Sequence, residues 1–216
     1  MWILKTIAAA FSMFSSIPMP AFTWDKETMR YMLCAFPLVG VLIGLGCWAW
    51  HAFGAVLGFP AMLQGLGLCL IPVFVTGGIH LDGYCDTWDA MASHGTPEKK
   101  REILKDPHMG AFAAIHLVIY LLAAFVFWTI LPHYRPLPVM AVFFLSRSLS
   151  ALAVATFPLH PGGGLAHSFA DYADRKRTAL VCGLYCAAAV LVLCLTGGLC
   201  MVRLWQQSFY GTDLLW

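Results

Sequence analysis

Charged residues are so unevenly spread along the chain that the gaps between them outline its helices. Between Tyr31 and Leu81 there is no Asp, Glu, Lys or Arg across 51 residues. A membrane-crossing helix needs about 20 apolar residues, because a helix rises about 1.5 Å per residue through a core about 30 Å thick. The stretch is too long for one crossing and suits two, with Gly54, Gly58 and Pro60 marking the turn between them. This predicts span 1 near residues 32–53 and span 2 near 61–79. The charge-free run 107–134 predicts span 3 near 111–131, and span 4 is expected near 137–157 with Arg147 at its middle. The charge-free run 178–202 supplies span 5.

The first 20 residues allow two readings. Residues 2–16 hold one Lys and the run Ala8-Ala9-Ala10, as a signal peptide does. The apolar part is short, and Ser15, Ser16, Pro18 and Pro20 end it early. An uncleaved interfacial or re-entrant helix is the preferred reading.

Composition narrows the class further. Hydrophobic residues make up 60% of the 216 and charged residues 11%, against roughly 45–50% and about 25% in soluble domains. Mean hydropathy is +0.76. A soluble globular domain and a disordered chain are both excluded. A net charge of +2 is too small for an electrostatic nucleic-acid binder. The expectation is an all-α, polytopic membrane helical bundle, with about five spans plus the N-terminal helix. It forms a single integral-membrane domain over residues 1–216 whose partner is the lipid bilayer.

Lys and Arg placement orients the bundle. With a non-spanning N-terminal helix, Lys5, Lys26, Arg30, Lys99, Lys100, Arg101, Lys105, Arg175, Lys176 and Arg177 share one side, and Arg135 and Arg203 the other. Ten against two places the loops after spans 2 and 4 in the cytoplasm. Of the 8 Cys, all but Cys85 fall in predicted spans, where Cys acts as a small hydrophobe. Neither disulfide nor zinc spacing is present.

Six of the 11 acids lie between His80 and Gly110: Asp82, Asp86, Asp89, Glu98, Glu102 and Asp106. In a helix, 82, 86 and 89 fall within about 60° of one face. Like charges so spaced destabilise a helix by about 0.2–0.5 kcal/mol per pair, so the stripe calls for a counter-charge. A hard divalent cation supplies it, since Mg²⁺ takes carboxylate oxygens and keeps positions for substrate phosphates. The plain alternative is the wet end of span 2. Farther on, Thr96-Pro97-Glu98 reads as a helix start. Arg101 and Lys105 are expected on one face, Glu102 and Asp106 on an adjacent one, and Asp106-Pro107 at the helix end. Carboxylates beside cations suit a diphosphate: metal bridges carboxylate to phosphate, and cations stabilise charge on the leaving group. The alternative is a surface ion-pair helix.

Arg147 at mid-span is costly, by roughly 2.5–3.5 kcal/mol on insertion scales, and is expected to face a polar interior or a substrate phosphate. His80 and His108 flank the acidic segments and are candidates for the chemistry. His51, His116 and His133 read as packing or interface residues. The loop His160-Pro161-Gly162-Gly163-Gly164, with Asp171 and Asp174 beyond it, reads equally as a ligand-closing loop and as a connector.

The central segment resembles cobalamin synthase, the adenosylcobinamide-GDP ribazoletransferase family. Gly77-Gly78, His80, Asp82-Gly83, Asp86 and Asp89, then Arg101-Glu102-Ile103-Leu104-Lys105-Asp106 and Gly110, follow that family's order and spacing. Phe14 to Pro20, Phe36-Pro37-Leu38-Val39-Gly40 with Gly44, and Arg147 also look familiar. The resemblance covers roughly residues 10–178. Tyr84 and Cys85 depart from the usual Leu and Ala. The ending Gly211-Thr212-Asp213 looks like a shortened form of a later family motif, and Asp213 is not carried over.

The resemblance implies a multi-pass enzyme of the cell (inner) membrane with its site loops, residues 80–110, in the cytoplasm. Its substrates would be adenosylcobinamide-GDP and α-ribazole or its 5′-phosphate, its products adenosylcobalamin (or its phosphate) and GMP, and its cofactor Mg²⁺. Asp82, Asp86, Asp89 and Asp106 are then the expected metal ligands. Lys105, Arg101 and His80 are the expected catalytic groups, and Arg147, His108, Gly78, Gly83 and Gly110 the expected substrate contacts. Two other readings stay open. A membrane prenyltransferase also holds Mg²⁺-diphosphate with spaced Asp residues. A cation transporter would use Asp82, Asp86, Asp89 and His80 as ion ligands, near broken helices at the bilayer midplane.

Overall fold

The computed structural model describes residues 2–20, 26–130, 135–157 and 171–210, with backbone alone at 26–27 and 198–210. All regular structure among them is α-helical. The helices are α1 (Trp2–Phe14), α2 (Lys26–Arg30), α3 (Met32–Ala35), α4 (Pro37–Leu57), α5 (Ala61–Thr76), α6 (Ile79–Ala92), α7 (Pro97–Ile103), α8 (Ala111–Ile130), α9 (Pro136–Thr156) and α10 (Arg175–Tyr210). Only helices satisfy every backbone polar group within one apolar segment, which is why charge-free runs in lipid take this form.

Four helical stretches are long and apolar enough to cross a membrane: Met32–Leu57, Ala111–Ile130, Pro136–Thr156 and Arg175–Gly197. A fifth crossing arises if α5 and α6, bent by 92°, are counted as one. Helix α1 has 13 residues, about 20 Å, and is too short to span. These are the expected polytopic bundle and short N-terminal helix. His133, His160 and the Gly162–Gly164 loop, along with Asp213, lie outside the described residues.

The chain divides into two compact units. One comprises Met1–Met13, Pro18–Leu45 and Arg135–Trp216. Here α9 packs on α10, and both helices bury small side chains: Ser148, Ala151 and Ala155 on α9, and Thr178, Cys182 and Ala189 on α10. Lipid gives helices no hydrophobic reason to pair, so close approach of small residues takes over. Helix α4 follows the same rule. A Cβ on Gly40 would lie 2.6 Å from the Phe143 carbonyl carbon, and one on Gly44 2.7 Å from Met140 Cα. Asp174 caps α10 by accepting the Arg177 N–H at 3.2 Å and pairs with the Arg30 guanidinium at 3.1 Å. These partners, the Arg177 amide first, hold its carboxyl below the usual carboxylate range.

The second unit comprises Phe14–Ile17 and Gly46–Tyr134. The turn from α4 to α5 is set by Gly58, with φ of 68°, and by a 2.8 Å bond from the Phe59 N–H to the Gly54 carbonyl. Trp50 Nε1 donates to the Gln64 carbonyl at 3.2 Å, and Gln64 Nε2 to that of His51 at 3.3 Å.

Three expectations are corrected. Span 2 stops at Thr76, short of 79, because Gly77 and Gly78 both adopt left-handed backbone. Two such residues in succession break the α5 ladder and restart it in a new direction. Helix α7 ends at Ile103 rather than at Asp106. A proline ring at 107 would clash with the carbonyl four residues earlier, at 103, if the helix continued. The N–H groups of Lys105 and Asp106 instead reach back three residues, to Glu102 and Ile103, at 3.1 and 3.0 Å. Consequently Arg101 and Lys105 do not share a helical face: Arg101 is on α7, and Lys105 is in the turn beyond it.

Candidate active site at the bend between α5 and α6

The site is built on the second unit. Gly77 ends α5 with φ of 63°, and Gly78 starts α6 with φ of 82°. The carbonyls left open at the end of α5 are met by Ser16, whose N–H donates to Val75 at 2.9 Å and whose hydroxyl donates to Phe74. In the sequence Ser16 only helps to end the N-terminal apolar run. Its signal was position alone, inside the familiar Phe14–Pro20 stretch.

Helix α6 then carries Asp82, Asp86 and Asp89 on one stripe, as the spacing predicts. It turns His80 about 150° round the helix from the middle of that stripe, so the helix does not bring His80 to the carboxylates. Gly83 borders the stripe, is exposed, and a Cβ there would meet nothing within 4 Å. Gly78 is equally open.

The three carboxylates differ in what they touch. Asp89 accepts from the backbone N–H of Gly110 and, at 2.9 Å, from that of Ala113. It thereby caps the start of α8. Gly110 has a steric reason for being glycine: an added Cβ would lie 2.6–2.8 Å from the Asp89 carboxyl group. Asp82 is exposed and Asp86 half-buried. Neither has a side-chain hydrogen bond or ion pair among the described residues. Among the described residues, no group of three or more His, Cys, Asp and Glu is arranged to hold a metal ion. Two carboxylates remain on the stripe with oxygens to offer.

On its other side α6 packs against α8 through aromatic rings. Trp88 stacks on His116 with centroids 3.6 Å apart and planes 16° apart, and Tyr84 meets Tyr120 at 5.5 Å. His116 Nδ1 lies 2.9 Å from the Phe112 carbonyl, which can only accept, so Nδ1 carries a proton. His116 is a packing residue, as expected.

Helix α7 begins as predicted: Thr96 caps it by accepting the Lys99 N–H at 3.4 Å, and Pro97 is its first residue. Lys99 pairs with Glu102 at 2.9 Å and Arg101 with Glu98 at 3.5 Å, all on the exposed surface. Such pairs contribute little to stability. Lys105 is exposed beyond the helix and has no ion pair among the described residues. Asp106 accepts the His108 N–H at 2.9 Å and lies 2.7 Å from His108 Nδ1. The His108 amide, then its ring, hold the Asp106 carboxyl below its ordinary range.

Arg147 belongs to the first unit. It is 7% exposed, so it faces protein, not lipid. Its guanidinium lies 5.6 Å over the Phe143 ring and donates to Ser146 Oγ at 3.4 Å.

A family model for cobalamin-5-phosphate synthase matches residues 6–212 of this chain. The adenosylcobinamide-GDP ribazoletransferase of Lachnoclostridium phytofermentans is 36% identical over 97% of this chain and 85% of its own. That of Ectopseudomonas mendocina is 33% identical over 88% and 78%, and that of Clostridium perfringens 29% identical over 87% and 75%. No solved structure matches. The match runs through both units and takes in the glycine pair, the acidic stripe, α7 and Arg147, and on that ground the chain belongs to the cobalamin-5-phosphate synthase family, enzymes of cobalamin biosynthesis with a ribazoletransferase-type reaction.

Proposed function

We propose that the chain transfers the cobinamide-phosphate group of adenosylcobinamide-GDP to α-ribazole or its 5′-phosphate. A ribose hydroxyl oxygen bonds to the cobinamide-linked phosphorus, and the bridging P–O bond to GMP breaks. GMP keeps the bridging oxygen, and the hydroxyl proton passes to a base. The observation that carries this reading is the pair Asp82 and Asp86. They follow the two-glycine bend within the matched family segment, and their oxygens are not committed elsewhere among the described residues.

Mg²⁺ fits this donor set. It prefers hard oxygen ligands, and is held by one or two carboxylates together with substrate phosphates rather than by a closed protein cage. When bound it would neutralise charge on the diphosphate. The chain's own groups do the rest. Lys105, with Arg101 nearby in sequence, supplies positive charge for the departing phosphate. Asp106 holds His108 with the proton on Nδ1, which leaves Nε2 to accept the hydroxyl proton. The open space at Gly78 and Gly83 admits substrate against the backbone. Purified protein supplied with adenosylcobinamide-GDP, α-ribazole and Mg²⁺ is expected to release GMP. No release, or release that ignores the acceptor, refutes the reading. Cation uptake by proteoliposomes without GMP formation would favour the transporter instead.

The ten-to-two bias of Lys and Arg supports a cell (inner) membrane protein with residues 80–110 in the cytoplasm. A Cys placed at Ser93, in a background lacking Cys85, is expected to escape an impermeant thiol reagent in intact cells. Ready labelling there would reverse the orientation.

A further inference from the structure

We propose that Asp89 is a positioning residue, which clamps the α6–α8 segment closed beside Asp82 and Asp86, and is not a ligand of the metal. The proposal rests on the phosphoryl-transfer reading above and separates one acid of the stripe from the other two.

Both Asp89 oxygens accept backbone N–H groups at the start of α8, those of Gly110 and Ala113. A helix start leaves such donors open, and an anion there is favoured by the helix dipole as well. The donors lie 21 and 24 residues along the chain from the acceptor. Between them run α7 and the turn with Lys105, Asp106 and His108. Residues 89–110 therefore form a closed excursion whose return end is tied to α6 one helical turn after Asp86. Closing such a loop has an entropic cost, and two charge-assisted hydrogen bonds offset it. Gly110 is matched to the clamp, since a Cβ would intrude on the carboxylate. A carboxylate that also bound metal would have to share both oxygens between the cation and two partly positive amides.

The test uses the full chain in detergent. Hydrogen exchange without substrate reads the clamp alone. Asp89→Ala is expected to speed exchange of the amides of residues 110–113 by about tenfold or more. Gly110→Ala should do the same by crowding, and isosteric Asp89→Asn, with one acceptor oxygen left, should fall between wild type and Asp89→Ala. Mn²⁺ titration followed by electron paramagnetic resonance reads the metal, and GMP release reads the reaction. Asp89→Asn is expected to keep the wild-type Mn²⁺ affinity and the wild-type Mg²⁺ dependence while kcat falls. Asp86→Asn is expected to weaken both metal readouts. The proposal is overturned if Asp89→Asn weakens Mn²⁺ binding as far as Asp86→Asn does, or if exchange at residues 110–113 is unchanged in Asp89→Ala. Should the wild type release no GMP, the reaction reading fails, and the exchange and Mn²⁺ arms still decide the role of Asp89.

Discussion

Asp86→Asn is expected to abolish GMP release at low Mg²⁺ and to leave a folded, inserted protein. The substitution keeps the side chain's shape and removes one of the two carboxylate charges left uncommitted on the α6 stripe. Loss of an outer-shell partner alone typically costs 10–100-fold in metal affinity or activity, and a direct ligand should cost at least as much. Partial recovery at high Mg²⁺ would mark a weakened site. The folded state should not suffer, because the change also removes repulsion between Asp82 and Asp86, worth about 0.2–0.5 kcal/mol for an i,i+4 pair. Falling activity with unchanged or slightly higher thermal stability is the signature of a charge kept for function. Near-normal turnover at low Mg²⁺ would take Asp86 out of the site.

Lys105→Ala is expected to lower kcat by about 10²-fold, the scale of losing one donor to a developing oxyanion. As the bridging bond breaks, negative charge builds on the departing GMP phosphate, and carboxylates cannot stabilise it. The segment's cations are not equivalent. Lys99 and Arg101 are paired with Glu102 and Glu98 along α7. Lys105 stands in the turn beyond, next to Asp106, with no ion pair among the described residues. Lys99→Ala should therefore change turnover little. Equal small effects at both positions would reduce this segment to a charged membrane-surface element and move the search to Arg147 or to Arg175-Lys176-Arg177.

Much of this molecule was written in its local sequence. The crossings follow from charge-free runs: the predicted spans at 111–131 and 137–157 differ from Ala111–Ile130 and Pro136–Thr156 by at most one residue at either end. The start of α7 followed from Thr96-Pro97, because capping is a contact between near neighbours. The stripe on α6 followed from the helical repeat. The family was legible because its motif is long and ordered, and residues 6–212 match it.

Tertiary structure decided the rest. Hydropathy carries no direction, so an apolar reading ran span 2 through the glycine pair to 79, where the backbone turns by 92°. Periodicity could extend α7 to Lys105, but Pro107 has no N–H to carry the ladder on, and Lys105 and Asp106 close the last turn with bonds to the third residue back. Spacing treated Asp82, Asp86 and Asp89 alike, because a helical wheel records angle and not neighbours. Folding brings the start of α8 onto only one of them. A carboxylate's role is set by the donors that reach it, and the donors that reach Asp89 come from Gly110 and Ala113, 21 and 24 residues away.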